Sequence, residues 1–84
     1  MMSPFMTLKD KTEAVHSEIL KSGEVKVYIE KPDMKDGFHY ATCYLPRYRW
    51  EDVYGFSEEE MKCFQTLLES AENQIIHLAK KESR

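Results

Sequence analysis

The strongest constraint on the fold is an amphipathic helix signal in the C-terminal part of the chain. Ser57 and Glu60 form a capping box, in which each side chain satisfies a backbone N–H at a helix start. Phe56 and Met61 occupy the two positions of a hydrophobic staple around this box. Further apolar residues then recur at intervals of three and four: Phe64, Leu68, Ala71, Ile75 and Leu78. The pattern predicts one helix from about Ser57 to Lys80.

The predicted helix is long for a chain of 84 residues. At about 1.5 Å per residue it measures about 36 Å, whereas a compact chain of this length has a radius of gyration of about 12 Å. We therefore expect its last turns to extend beyond the body of the domain. An apolar stripe in those turns needs a cover, and a second copy of the chain would supply one. The residues that we assign to self-association as a homodimer are Ile75, Ile76 and Leu78.

The N-terminal part of the chain carries a second helix signal. Thr7 and Asp10 form a short-acid version of the capping box. Four apolar residues fit one helical stripe around it: Phe5, Leu8, Val15 and Ile19. The pattern predicts a helix over residues 8–20, with Gly23 placed to end it.

Three strands are predicted between the two helices. Alternating apolar and polar residues over 25–29 are typical of a strand with one buried face. The Asp36-Gly37 pair favours a tight reversal into a second strand over 38–45. A third strand is predicted over 47–54, after the interruption that Pro46 imposes on the pairing.

These elements predict an α+β two-layer domain in the order α-β-β-β-α. It has a three-stranded antiparallel sheet, helices on one face of that sheet and a long C-terminal helix. Because 84 residues leave no room for a second core, we expect a single small domain over residues 1–84. The ends of the chain, 1–6 and 82–84, are expected to be frayed.

Residues that could carry catalysis or hold a metal do not occur in a recognised pattern. Glu13-x-x-His16 lacks the further carboxylates and the second such pair that a di-iron site needs. Cys43 and Cys63 form no CxxC pair and are expected to stay thiols in a reducing cytoplasm. No apolar run approaches the roughly 20 residues that span a bilayer. We therefore expect a cytoplasmic protein with no enzymatic activity, cofactor, metal or membrane association.

The most unusual composition lies in the segment that follows the second strand. Tyr, Trp and Arg contribute much of the binding energy at protein interfaces, because they combine a large flat surface with a polar tip. Aromatic residues and arginines are denser here than one face of a small sheet needs for its core. The predicted partner-binding residues are Tyr44, Arg47, Tyr48, Arg49, Trp50, Glu51, Asp52 and Tyr54.

Acidic residues follow this cluster. Glu58, Glu59 and Glu60 form an acidic patch at the predicted helix start, and the formal net charge is −3. An acidic chain gains little from counterion release, so direct binding of duplex nucleic acid is not expected. The patch complements the basic groove of a nucleic-acid-binding protein, and the same acids also favour the helix dipole.

Part of the chain resembles the HicB-like antitoxins. The resemblance runs from Asp36-Gly37 through Gly55 to Ser57-Glu58-Glu59, where a strand after a turn leads through a glycine to an acidic helix start. The predicted order of elements also resembles the double-stranded RNA-binding fold. In that family the helix start is basic, whereas Ser57-Glu58-Glu59-Glu60 would repel phosphate.

The sequence thus favours a non-enzymatic interaction module that binds a protein partner through the Arg/aromatic cluster and the acidic patch. An inhibitor or antitoxin-like regulator of a nucleic-acid-acting protein fits a chain of this size and charge. The first alternative is a module for single-stranded or loop RNA that stacks bases on Tyr48 and Trp50. The second alternative, a small metal-dependent enzyme, has the least support.

Overall fold

A computed structural model describes residues 2–8 and 10–82. It contains a five-stranded antiparallel sheet followed by one helix, in the order β-β-β-β-β-α. Neighbouring strands in the sheet are also neighbours in sequence, so the sheet is a meander. The elements are β1 (Ser3–Thr7), β2 (Glu13–Ile19), β3 (Val25–Asp33), β4 (Gly37–Leu45), β5 (Arg49–Tyr54) and α1 (Glu58–Glu82).

The predicted fold class was wrong, because β2 lies within the segment 8–20 that was predicted to be a helix. β2 pairs with β1 on one side and with β3 on the other. Asp10 does not cap a helix: its Oδ1 accepts a hydrogen bond from the Thr12 N–H, 3.1 Å away, in the turn between β1 and β2. Two backbone hydrogen bonds between Leu8 and the residues Lys11 and Thr12 close the same turn. The helix prediction was wrong because the few apolar residues on which it rested also fit a strand, in which β-branched Val and Ile are favoured.

The first six residues were expected to be frayed, yet β1 begins at Ser3 and pairs with β2. Gly23, which was expected to end a helix, lies in the turn between β2 and β3, where its N–H donates to the Leu20 carbonyl at 2.8 Å. Of the segment 82–84, residues 83 and 84 lie outside the described part of the chain.

The last three strands, β3 to β5, confirm the alternation and the turn that the sequence predicted. β3 and β4 pair in continuous register from Val25 opposite Leu45 to Asp33 opposite Gly37. Asp33 stabilises the turn between them, since its Oδ2 accepts hydrogen bonds from the backbone N–H groups of Lys35 and Asp36. β5 extends the sheet as the third predicted strand, although it begins at Arg49 and not at residue 47.

The C-terminal helix is also confirmed. The Ser57 N–H donates to Glu60 Oε1 at 2.9 Å, and the Glu60 N–H donates to Ser57 Oγ at 3.1 Å, which completes the capping box. Glu58 and Glu59 share the first turn with Glu60, where carboxylates interact favourably with the helix dipole. Among the described residues, no helix is both long enough and apolar enough to cross a bilayer.

The core lies between α1 and one face of the sheet. Side chains from alternate positions of β3 and β4 are at most 1% exposed and pack with those of the helix. They are Val25, Val27, Ile29, Cys43 and Leu45 from the strands, with Leu68, Ile75 and Ala79 from the helix. Burying one such Val, Leu or Ile side chain contributes about 1.5–3 kcal/mol. This face of the sheet therefore holds the helix in place.

The last turns of the helix were expected to extend beyond the body of the domain, but they are covered by it. Ile75 is fully buried, and Ala79 one turn later is fully buried as well. The molecule is 40 Å long in its longest dimension, so the helix lies along nearly all of it. Ile75 therefore cannot provide a self-association surface, whereas Ile76 and Leu78 are partly exposed. Self-association itself stays a prediction.

Candidate functional site

The helix covers one face of the sheet and leaves the other face of β3, β4 and β5 without a helix among the described residues. Strand alternation and register place eleven side chains on this uncovered face. We term it the open face, and it consists of Lys26, Tyr28, Glu30, Pro32, Phe38, Tyr40, Thr42, Tyr44, Arg49, Glu51 and Tyr54. Four of the eleven are tyrosines, drawn from three adjacent strands.

The tyrosines of the open face interact with one another and with neighbouring polar groups. Tyr40 and Tyr54 are opposite each other in the register, and their rings stack with centroids 5.3 Å apart and planes 22° apart. The Tyr28 hydroxyl donates to Glu30 Oε2 at 3.0 Å. Burial, together with this bond to a carboxylate, raises the pKa of Tyr28 to about 12. Tyr54 is 46% exposed, which leaves its ring available to a ligand.

Arg49 is fixed on the open face by two carboxylates and one ring. Its guanidinium lies over the Tyr44 ring, with Cζ 4.3 Å from the centroid. Nη2 is 3.1 Å from Glu24 Oε1, and Nη1 pairs with Glu51. The hydrogen bond to Glu24 is the main reason why the pKa of Arg49 is raised above its ordinary value. Because both carboxylates already neutralise it, this arginine offers little free positive charge.

A pocket of about 440 Å³ opens on this face where β5 is irregular. The pairing of β4 with β5 shifts register between Tyr40 and Thr42, and Asp52 in the opposing bulge has a φ of 53°. This left-handed conformation is uncommon for residues other than glycine, although Asp and Asn adopt it more readily than most. We term the cavity the tyrosine pocket, and its lining is Lys26, Tyr28, Tyr40, Thr42, Asp52, Val53 and Tyr54.

The predicted partner-binding cluster is divided between the two faces of the sheet. Tyr44, Arg49, Glu51 and Tyr54 lie on the open face, and Asp52 lines the tyrosine pocket beside it. The remaining three residues do not join that surface. They are Arg47, which is exposed in the turn before β5, and Tyr48 and Trp50, which pack on the helix side.

Tyr48 and Trp50 have structural partners on α1. The Tyr48 hydroxyl donates to Glu72 Oε1 at 2.6 Å, and burial with this hydrogen bond raises the pKa of Tyr48. The Trp50 Nε1–H donates to Gln65 Oε1 at 3.1 Å. Both rings also contact the hydrophobic core. They therefore attach β5 to the helix, and the stacking on Tyr48 and Trp50 that the sequence suggested would require them to leave these partners.

The acidic patch at the helix start has a structural role in part. Glu60 completes the cap on Ser57, and its Oε2 lies 3.8 Å from Lys31 Nζ. Glu58 and Glu59 are exposed. Two carboxylates of the predicted patch are thus available to a partner, while the third stabilises the fold.

Sequence reasoning missed Tyr28 and Tyr40, which lie on the open face with Tyr54. The signal that would have found them is the period-two alternation itself. Val25, Val27 and Ile29 mark the buried face of β3, so Tyr28 must lie on the opposite face. Register with β3 then assigns Tyr40 to that same face. The density of aromatic residues after residue 44 indicates one segment of the chain, whereas the open face is formed by three strands.

A second concave surface lies between β5 and the first half of α1. This cleft measures about 580 Å³, and Val53, at its edge, is 45% exposed. The cleft is lined by Trp50, Val53, Met61, Lys62, Gln65, Thr66 and Glu69. Its lining is mostly apolar and it lies beside the edge strand of the sheet, so it extends the partly apolar surface around β5.

One group of side chains has the chemistry of metal ligands. Ligand atoms of Asp33, Asp36 and His39 lie within 4.8 Å of one another at the turn between β3 and β4. His39 Nε2 is 3.0 Å from Asp36 Oδ2 and 3.7 Å from Asp33 Oδ1. The hydrogen bond from the Asp36 N–H lowers the pKa of the Asp33 carboxyl. The three side chains are already in contact with one another at an exposed turn, where such contacts contribute at most about 1 kcal/mol.

The two cysteines differ in exposure. Cys43 is fully buried on the helix side of β4, and burial raises the pKa of its thiol to about 12. A thiol in this state is not a nucleophile at neutral pH. Cys63 is exposed on α1. The geometry around Cys43 therefore supports a packing role.

Comparisons with protein-family models, with curated proteins and with solved structures found no match for this chain. The element order β-β-β-β-β-α also differs from the order α-β-β-β-α on which the likeness to the double-stranded RNA-binding fold rested. What the structure offers is a flat aromatic surface with polar groups around it, a shallow pocket and an adjoining apolar cleft. Surfaces of this kind are suited to binding.

Proposed function

We propose that this chain is a non-enzymatic interaction module that binds a protein partner on its open face. The observation that carries the proposal is the group of four tyrosines on the face of the sheet opposite the helix. Tyrosine supplies a large contact area at low entropic cost, because only two side-chain torsions must be fixed. Exposed Val53 and Phe38 extend the apolar area beside these rings.

The charges around the open face favour a partner with a basic surface. Glu30, Glu51 and Asp52 lie on or beside it, whereas its two cations are Lys26 and Arg49. Since Arg49 is already paired, the remaining charge is negative, in the same sense as the chain's net charge of −3. A nucleic-acid-acting protein has such a basic surface, so we propose an inhibitory or antitoxin-like role in the cytoplasm.

The second candidate is binding of single-stranded or loop RNA. The stacked pair of Tyr40 and Tyr54 favours it, because exposed rings on a sheet also stack on unpaired bases. The carboxylates of the same face disfavour it, since they repel phosphate and leave few cations to release counterions. Protein binding is therefore our preferred function.

Affinity capture from the native host, with and without nuclease, tests the proposal. We expect a protein to be retained whether or not nuclease is present, and to be lost from the Tyr40→Ala, Tyr54→Ala double variant. Gln74→Ala, on the exposed side of α1, is the control and should retain the partner as the wild type does. A captured protein that both variants retain equally would exclude the open face as its binding site.

Charge reversal at the helix start separates the two candidates. Glu58→Lys with Glu59→Lys should slow association with a basic protein but strengthen binding of an RNA oligonucleotide. Glu60 is left unchanged because it caps the helix. Tight binding of single-stranded RNA by the wild type at about 150 mM salt, lost in the tyrosine variant, would establish the second candidate instead.

A further inference from the structure

Asp52 is the one acid of the tyrosine pocket, and it has no hydrogen-bond or ion-pair partner among the described residues. The nearby carboxylates differ from it in this respect. Glu30 accepts the Tyr28 hydroxyl, while Glu24 and Glu51 hold Arg49. An exposed, unpaired carboxylate beside three tyrosine rings thus remains available to a ligand.

The backbone at Asp52 directs this carboxylate to the pocket. Residues other than glycine adopt the left-handed region only occasionally, and those that do concentrate at binding and active sites. The bulge lies opposite the register shift between Tyr40 and Thr42, so it sets Asp52 beside the stacked rings of Tyr40 and Tyr54. Without the bulge, regular alternation would turn Asp52 to the helix side of the sheet.

The open face already contains one example of the contact that such a pocket can make. The guanidinium of Arg49 lies 4.3 Å above the ring of Tyr44 and is paired with carboxylates at its edges. A cation above a ring is attracted by the negative potential of the ring face. The tyrosine pocket presents the same two components, rings and a carboxylate, without a guanidinium between them.

We propose that the tyrosine pocket receives an arginine side chain of the protein partner. The guanidinium stacks on the exposed Tyr54 ring and pairs with the Asp52 carboxylate. This inference rests on the proposed function, because it assigns the partner's anchor residue on the same face. A planar guanidinium can stack on a ring and pair with a carboxylate at the same time. The ammonium of lysine is a strongly hydrated point charge and is less suited to stacking.

Lys26 lines the same pocket and opposes a cation there. The carboxylates around it outnumber the cations. The four carboxylates are those of Glu24, Glu30, Glu51 and Asp52, and the two cations are Lys26 and Arg49, so two negative charges are not offset. The local charge is therefore negative. Lys26→Met should increase the affinity for arginine, which is the opposite of what an anion site would show.

The test is an NMR titration of the full chain with Nα-acetyl-arginine amide. We expect weak, saturable binding that shifts the backbone amide signals of Asp52, Val53 and Tyr54. Nα-acetyl-citrulline amide has nearly the same shape without the charge and should cause no comparable shifts. Equal binding of the arginine and citrulline compounds, or shifts confined to other residues, would overturn the proposal. Equal binding of Nα-acetyl-lysine amide would overturn the choice of arginine.

Asp52→Asn is the matched variant, because asparagine retains the shape of the side chain and tolerates the left-handed conformation. We expect its affinity for the arginine compound to fall about tenfold, as loss of a charge-assisted hydrogen bond would give. Glu18→Gln removes one exposed carboxylate on β2, outside the open face, and serves as the control with the same change in charge. Unchanged affinity in Asp52→Asn would remove Asp52 from the site.

The two proposals can fail separately. If the tyrosine double variant loses the captured protein but Asp52→Asn retains it with wild-type affinity, the open face binds a partner without an arginine anchor, and the inference is overturned. If Asp52→Asn weakens capture together with arginine binding, the inference is supported. If the arginine compound binds but no protein depends on the open face, the assignment to a protein partner is overturned with the proposed function.

Discussion

Gly55 shows how a single missing side chain fixes the end of the sheet. Its φ is 86°, and a Cβ at this position would lie 2.2 Å from Cδ2 of the His39 ring. His39 in turn meets the edges of Tyr54 and Phe56, with ring centroids 6.4 and 5.7 Å away. Glycine therefore permits both the backbone conformation and the close approach that joins β5 to β4 next to the open face.

Gly55→Ala should destabilise the protein more than Gly37→Ala. Both glycines have a positive φ, which costs an alanine about 1–2 kcal/mol, but an added Cβ at Gly37 meets nothing within 4 Å. The contact with His39 should add about 1–3 kcal/mol at Gly55, as overpacking does. Urea unfolding of the two variants measures the difference. Adding His39→Ala to Gly55→Ala should recover part of it, and equal losses for the two glycines would contradict the steric argument.

β2 shows why the fold could be predicted only in part. Capping and periodicity sufficed for α1, since two hydrogen bonds and a long apolar stripe agree there. In the segment 8–20 the apolar residues were too few to separate a period of two from one of 3.6. Pairing with β1 and β3 decided the outcome, because it buries Ala14 and His16 against the core. Such long-range pairing is not encoded in local propensity.

β5 shows the corresponding limit for the candidate site. The sequence identified four open-face residues of the cluster but could not tell that Trp50 and Tyr48 face the helix. That assignment depends on the register with β4, where Trp50 lies opposite buried Cys43. The bulge after Glu51 then changes which side Asp52 faces. An irregularity of one residue is invisible to an alternation pattern, so the pocket could not be predicted.

Ser57→Ala should lower the free energy of unfolding by about 1 kcal/mol. The substitution removes the hydroxyl that accepts the Glu60 N–H, and it leaves one donor of the first helical turn unsatisfied. Ser70→Ala is the control, because Ser70 Oγ only donates to the Leu67 carbonyl within the exposed side of the helix. Urea denaturation should show a loss for the first variant and a change within about 0.5 kcal/mol for the second. A comparable loss in both would show that the cap contributes nothing specific.

The helix and the sheet form one continuous core along the length of the molecule. Ile75→Ala should therefore cost about 2–5 kcal/mol of the free energy of unfolding, as truncation of a fully buried Ile does. Ile76→Ala should cost less, since Ile76 is partly exposed. Chemical denaturation of both variants provides the measurement. If Ile75→Ala dissociated a dimer without loss of stability, the surface role that the sequence first suggested would be restored.

Three weakly acidic side chains, one cysteine thiol and two tyrosine hydroxyls, should make the stability of the whole molecule sensitive to alkaline pH. Burial raises the pKa of Cys43 from 9.0 to about 12, and burial with the bond to Glu30 raises that of Tyr28 from 10.0 to about 12. The pKa of Tyr48 is raised as well, chiefly by burial. In each case the folded state favours the neutral form.

The free energy of unfolding should therefore decline as pH rises from about 9 to 12. When the pKa of an acid is higher in the folded state than in the unfolded state, its contribution to stability is complete below the unfolded-state pKa. That contribution is lost as pH rises through the folded-state pKa. In the Tyr48→Phe variant the side chain at position 48 cannot ionise. The free energy of unfolding should therefore decline less steeply with pH than in the wild type, even though the variant lacks the hydrogen bond to Glu72. Lysine deprotonation is common to both chains and cancels in the comparison. Urea titrations at intervals between pH 8 and about 11 measure both slopes, and parallel curves would show that the Tyr48 hydroxyl has the same pKa in the folded and unfolded states.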